Sequence, residues 1–157
     1  LASFVSNKKL AYIGDKAFAN STLKKFAFDT KPKMGEKVFS RNSSITYSKG
    51  LKKAGTSIEF AKLRKKKYTI RFAKVNGATG YEVKFKSAKY KKTFTTKKNV
   101  FTKAVSKNDV NKMGITNGIE EDGTWTAGTV MVRPYKVDKK KKIYGKWSTK
   151  ILVLYYE

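Results

Sequence analysis

Two blocks of cationic side chains are the groups in this sequence most able to do chemistry: Arg64-Lys65-Lys66-Lys67 and Lys139-Lys140-Lys141-Lys142. Each sets four cations in a row, and Asp138 is the one acid beside the second block. Runs of this kind are candidate contacts for the anionic groups of a polymer, and they also fit a solvated loop that keeps the chain from aggregating. The chemistry on offer is attraction rather than recognition. Lysines number 33 and arginines four (Arg41, Arg64, Arg71, Arg133). The planar guanidinium, not the hydrated ammonium, clamps phosphate bidentately or reads a base edge. A lysine surface attracts polyanions without reading their sequence, so an anionic cell-wall or host polymer, a sulfated glycan or lipid headgroups are candidate partners, and nucleic acid only non-specifically.

Reactive groups are otherwise scarce. The chain has no Cys and no His, which excludes disulfides, thiolate metal sites, cysteine catalysis and imidazole bases. Ser6 with Lys9 and Ser21 with Lys24 have the Ser-x-x-Lys spacing, but so many lysines produce that spacing by chance. Neither a G-x-S-x-G elbow nor a phosphate-binding glycine loop occurs. Glu120-Glu121-Asp122 is the one acidic cluster; its oxygens suit calcium, and equally suit a solvated loop. The chain reads as no enzyme, with no catalytic residue, no cofactor and no assigned metal.

The elements that must carry these groups come from a chain of 157 residues and net charge +26 that still holds 39% apolar and 13% aromatic residues. That is enough apolar surface for a core, so the charge does not imply disorder. Ile151 to Tyr156 is the longest apolar run, far short of the ~20 residues a membrane helix needs, and no transmembrane segment is expected. The chain opens on Leu1 without a recognisable secretory signal, as a processed or excised piece would.

The first forty residues repeat. Ile13-Gly14-Asp15-Lys16-Ala17-Phe18-Ala19 returns 21 positions later as Met34-Gly35-Glu36-Lys37-Val38-Phe39-Ser40, and Leu1-x-x-Phe4 returns 22 later as Leu23-x-x-Phe26. A period of this length predicts stacked units of a short strand and a turn. Leu23, Phe26 and Phe28 should face inward, Lys24 and Lys25 outward, and Phe18 and Phe39 should plug the layer between units. Gly14 and Gly35 are expected at positive φ. The stretch from Leu10 to Phe26 resembles the leucine-rich repeat of BspA-type bacterial surface proteins, with Ser21 where that family often has Cys. The resemblance covers about residues 1–47 and implies the last repeats and cap of a solenoid.

Ser48 to Gly55 reads as a short helical or turn connector, with a domain boundary near Thr56 that divides the chain into 1–55 and 56–157. Beyond it the period becomes two. Tyr68, Ile70 and Phe72 alternate with polar residues, as do Tyr81, Val83 and Phe85, across the turn-forming segment 76–80. Further strands are expected near 91–96, 100–104 and 129–135, and from Ile143 onward. Ser106 should cap a short helix closed by Gly114. This count of short strands argues for an antiparallel sandwich. Val75 to Phe85, Val132 to Lys136 and Tyr144 to Ser148 resemble the fibronectin type III-like domain of Gram-positive surface proteins, which implies an immunoglobulin-like fold over about 56–157. The expected fold class is thus mainly β, a short leucine-rich-repeat cap plus a β-sandwich.

In the last strand both faces are apolar: Ile151, Val153 and Tyr155 on one, Leu152, Leu154 and Tyr156 on the other. One face must be covered by the first domain, a partner protein, a second subunit or lysine stems, which makes Leu152, Leu154 and Tyr156 candidate interface residues. The two resemblances imply a secreted cell-surface protein serving adhesion, presentation or scaffolding. Two other readings stand beside it: a polyanion-binding protein acting through its lysines, and a subunit of a surface filament or particle.

Overall fold

The computed structural model describes residues 2–6, 9–87, 89–113 and 124–155, and they are mainly β. The first 55 residues hold five short strands: β1 (Ser3–Val5), β2 (Tyr12–Ile13), β3 (Lys25–Phe28), β4 (Lys33–Met34) and β5 (Ser44–Tyr47). All of their pairings are parallel, β1 with β3 and β3 with β5 on one side, β2 with β4 on the other. Phe4 stands opposite Phe26, Ile13 opposite Met34 and Phe18 opposite Phe39. The offset visible in the sequence is therefore the offset at which strands pair.

Aromatic rings hold these units together. Phe4, Phe18, Phe26, Phe28, Phe39 and Tyr47 make one cluster, with centroids from 4.5 Å apart for Phe26 and Phe39 to 6.3 Å for Phe28 and Phe39. Contacts of this geometry add about 0.5–1.5 kcal/mol each to the apolar burial. Phe26 and Phe28 are buried as expected and Leu23 partly so. Lys25 is exposed, but Lys24 is half-buried and donates to the Ser40 hydroxyl at 2.8 Å, which corrects its expected outward course.

The turns differ from expectation in which residue bends them. Positive φ falls on Lys16 (54°) and Lys37 (47°), not on Gly14 or Gly35. Gly35 is needed for space instead. A Cβ there would strike Asp15 Oδ1 and lie 2.7 Å from Asp15 N, because the Asp15 turn rests on it and accepts from Glu36 N at 2.7 Å. At Gly14 the nearest atom to such a Cβ is a Tyr12 ring carbon at 3.9 Å.

A 3-10 turn at Leu51–Lys53 leads into four buried residues, 54–57, anchored where the Tyr47 hydroxyl donates to Gly55 O at 2.6 Å. There follow β6 (Ile58–Arg64), β7 (Lys67–Phe72), β8 (Lys74–Val75), β9 (Gly80–Ser87), β10 (Tyr90–Thr96), β11 (Val100–Ala104), helix α1 (Lys107–Lys112), β12 (Thr124–Asp138), β13 (Lys141–Tyr144) and β14 (Ser148–Tyr155). One sheet runs β10-β9-β12-β14-β6-β7-β11, with β13 beside β12. Its pairings are antiparallel except β14 with β6. The sheet curls until its edge strands meet, Phe94 of β10 lying 5.5 Å from Phe101 of β11. Tyr68, Ile70, Phe72, Tyr81, Val83 and Phe85 are all buried inside it, as their alternation predicts, and Tyr68 stacks on Phe85 at 4.1 Å.

Ser106 Oγ accepts from Asp109 N at 3.1 Å and so caps α1; its expected closing residue, Gly114, lies outside the described residues. The single strand expected from Ile143 is two, β13 and β14, parted at 145–147. Pro134 sits where pairing of β12 passes from β14 to β13, and Gly145 N donates to its carbonyl at 2.8 Å. No ladder needs its missing N–H there. Between Thr126 and Thr129 the strand bulges at Gly128 (φ 111°), where a Cβ would come 2.6 Å from Lys86 O.

The two parts of the chain share one buried cluster. β8 leaves the curled sheet and joins the parallel one, Ile45 opposite Val75. Lys146 N donates to Ala54 O at 2.7 Å, and the Lys150 ammonium pairs with the Glu36 carboxylate. Burial holds Lys150 below the usual lysine range, with nearby Asp15 opposing. Lys31 is lowered in the same way, first by burial and then by Lys146. No helix of the described residues is long and apolar enough to cross a membrane.

Candidate anion-binding surface

Both basic blocks are tips of two-residue hairpins. β6 turns into β7 through Lys65 and Lys66, at φ 47° and 56°; β12 turns into β13 through Lys139 and Lys140, at 44° and 66°. Positive φ at both central residues is the backbone of a type I′ turn, whose twist matches the strands it joins. Asn-Gly is the pair that adopts it most easily; here the pair is Lys-Lys both times. Arg64, Lys65, Lys66 and Lys67 are exposed, as are Lys139, Lys140, Lys141 and Lys142. The Lys142 ammonium lies 4.5 Å over the Tyr135 ring.

The register separates the two tips. Leu63 is level with Leu154, and Leu154 with Trp125, so the Arg64–Lys67 tip stands at the start of β12. The Lys139–Lys142 tip stands at its other end, past Asp138. The structure does not bring the blocks together.

What it does bring to the first tip was not visible in the sequence. Val105 N donates to Lys66 O at 2.7 Å, which fixes the start of α1 beside the hairpin, and Lys89 N donates to Lys112 O at 3.3 Å, which adds the β9–β10 turn. Exposed Lys66, Lys89, Lys107 and Lys112 therefore share one end of the curled sheet. Toward the other end, Lys74, Lys97 and Lys98 border an open cleft of about 340 Å³ floored by Val75 and Tyr81. The Tyr81 hydroxyl accepts from Val75 N at 2.7 Å, and burial pushes its ionisation up.

Two arginines serve the fold instead of the surface. Arg133 pairs with Glu82 at 2.9 Å, and its guanidinium lies 3.8 Å from the Tyr144 ring centre and 4.3 Å from that of Trp147. This explains the Tyr144 and Trp147 of the sequence phrase: they shield an ion pair on the outer sheet face. Arg71 lies 5.1 Å over Phe60 and 3.9 Å from Glu59. Asp109 pairs with Lys92 at 2.7 Å, which holds the Asp109 carboxyl below its usual range.

The remaining expected sites divide. Ser21 Oγ accepts from Leu23 N at 3.0 Å while Lys24 reaches Ser40, so this Ser and Lys are not joined. Glu120, Glu121 and Asp122 lie outside the described residues. Among the described residues no group of three or more acids gathers as a metal site would. Leu152 is 2% exposed and belongs to the core, so it fills the chain's own interior and is not available to a partner. Among the described side chains of that strand, the exposed large apolar one is Ile151, at 56%. The Leu154 side chain and Tyr156 lie outside the described residues. Comparison with protein families, with curated proteins and with solved structures returned no match to this chain.

Proposed function

We propose that this chain is a non-catalytic attachment and presentation module of the cell exterior, held to a linear polyanion by the lysines at its turn tips. One observation carries the reading. Among the described residues, the non-glycine positions with positive φ are Asn42 and six lysines: Lys16, Lys37, Lys65, Lys66, Lys139 and Lys140. Left-handed backbone costs an L residue with a Cβ roughly 1–2 kcal/mol. Asn and Gly are the ordinary occupants of such positions. Lysine makes up about a fifth of the sequence, yet it fills nearly all of them. Charge is kept at exposed turns of the chain against conformational preference, which favours a task for it beyond solubility.

The finer fold reading belongs to the same proposal. The parallel part is read as terminal units of a leucine-rich-repeat solenoid, supported by the repeat offset that the strand register shares. The curled sheet is read as a fibronectin type III-like sandwich. In support, its first, second and fifth long strands adjoin on one side, and its third, fourth, sixth and seventh on the other. Surface location, adhesion and a Gram-positive source follow from those resemblances.

The test is retention on an immobilised phosphodiester polymer at about 150 mM salt. The native chain is expected to bind, with affinity falling about 10³-fold across a fourfold rise in salt if six phosphates are neutralised. Gln at the six left-handed lysines should abolish retention. A native chain that washes straight through would overturn the reading.

A further inference from the structure

We infer that each molecule holds two separate polyanion strands, one at each end of the curled sheet, and so bridges them. This rests on the attachment reading above and adds valency to it. The Arg64–Lys67 hairpin lies level with Thr124, and the Lys139–Lys142 hairpin follows Asp138, with the whole of β12 between them. That strand has 15 residues, and at ~3.3 Å per residue, less the kink at its bulge, the tips stand about 40 Å apart. The Debye length near 0.15 M salt is about 8 Å. Several screening lengths therefore divide the two fields, and neither tip supplements the other at a single phosphate.

Each end also has its own complement of charge. Lys89, Lys107 and Lys112 stand with the first tip through the Val105–Lys66 and Lys89–Lys112 backbone hydrogen bonds. The second has Lys139 to Lys142 on a hairpin whose only acid is Asp138. On the sheet face between the ends, Glu82 with Arg133 and Glu59 with Arg71 neutralise one another. The tips are the two places where four cations stand consecutively, while the strands between carry single lysines such as Lys62, Lys84 and Lys86. This clustering favours two strands crossing the tips over one strand lying along the side.

The test uses a stiff phosphodiester probe, duplex DNA of about 60 base pairs, roughly 200 Å long. Its persistence length of about 500 Å prevents it from folding back over the protein. Donor-labelled and acceptor-labelled duplexes are mixed with substoichiometric full-length chain, and energy transfer between them is read beside binding to a single labelled duplex. The native chain is expected to produce transfer. Replacing Lys65, Lys66 and Lys67 by Gln, or Lys139 to Lys142 by Gln, should each remove the transfer while single-duplex binding remains. Native binding without transfer overturns bridging and leaves the attachment reading intact. Transfer that survives in both one-tip variants also overturns it, since paired copies or another surface would then join the duplexes. Absence of any binding at low salt overturns the attachment reading itself.

Discussion

Replacing both Lys-Lys turns by Asn-Gly should make the protein more stable while weakening its hold on anions. At Lys65, Lys66, Lys139 and Lys140 the backbone is left-handed, with φ between 44° and 66°. Each such lysine carries about 1 kcal/mol of local strain. Asn relieves part of it at the first position and Gly nearly all at the second. Gly gives back about 0.5–1 kcal/mol through the freedom it adds to the unfolded chain. The net gain is about 1 kcal/mol per turn, or about 2 kcal/mol for both, and 157 residues convert that to a rise in Tm of roughly 4–8 °C. Thermal unfolding followed by circular dichroism reads it. The same four positions changed to Gln remove the same charge without easing the backbone, so the difference between the two variants isolates conformation from charge repulsion. If Asn-Gly and Gln-Gln melt together, the turns are not strained, and the argument that lysine is kept there for its charge fails.

Stability should climb as pH rises from neutral toward 10: burial lowers the folded-state pKa of Lys31 and Lys150, so the unfolded chain binds more protons in that window. Above about 10 it should fall, because burial pushes Tyr47, Tyr68 and Tyr81 up and only their unfolded forms release protons there; denaturant titrations across pH 7 to 11 check both limbs. Lys150→Met should be neutral to stabilising at pH 7 and should flatten the climbing limb, since a desolvated ammonium is exchanged for an apolar chain of like length and its partner Glu36, 60% exposed, stays solvated. Gly128→Ala should cost about 2–3 kcal/mol in the same titration, from a positive φ and a Cβ set 2.6 Å from Lys86 O. Phe26→Ala should cost about 3–5 kcal/mol, since that buried ring meets Phe4, Phe18 and Phe39.

What the sequence made legible were features with a short period. Tyr68, Ile70 and Phe72 announce a strand because alternation is local, and the Phe18 and Phe39 pairing follows from comparing one segment with the next. The gathering of Lys89, Lys107 and Lys112 beside Lys66 was not legible, because it depends on which hairpin tips a curled sheet brings together. Nor were the left-handed lysines: Lys-Lys carries no turn signal, and only the two-residue loop length imposes positive φ on it. Gly14 and Gly35 misled for a related reason. A glycine marks either a bend or a close approach, and the sequence does not say which; here the neighbouring Asp15 turn decided it. Leu152 was misplaced because both faces of its strand are apolar, and only the position of β14 between β12 and β6 assigns one of them to the core.

The parallel sheet has two unlike margins, and the difference bears on how such a protein can change over evolutionary time. On one side β8 is only two residues long, and the chain turns away at once through Gly77 (φ 82°). That margin is a terminator: inserting a unit between β5 and β8 would part Ile45 from Val75, which the Tyr81 hydroxyl holds against the curled sheet. On the other side, among the described residues, β1 pairs with β3 alone, and Val5 is 72% and Tyr12 54% exposed. A further 21-residue unit stacked on this margin would disturb no contact that the curled sheet makes. Lineages that gain or lose units would vary in reach while the charged tips stay as they are.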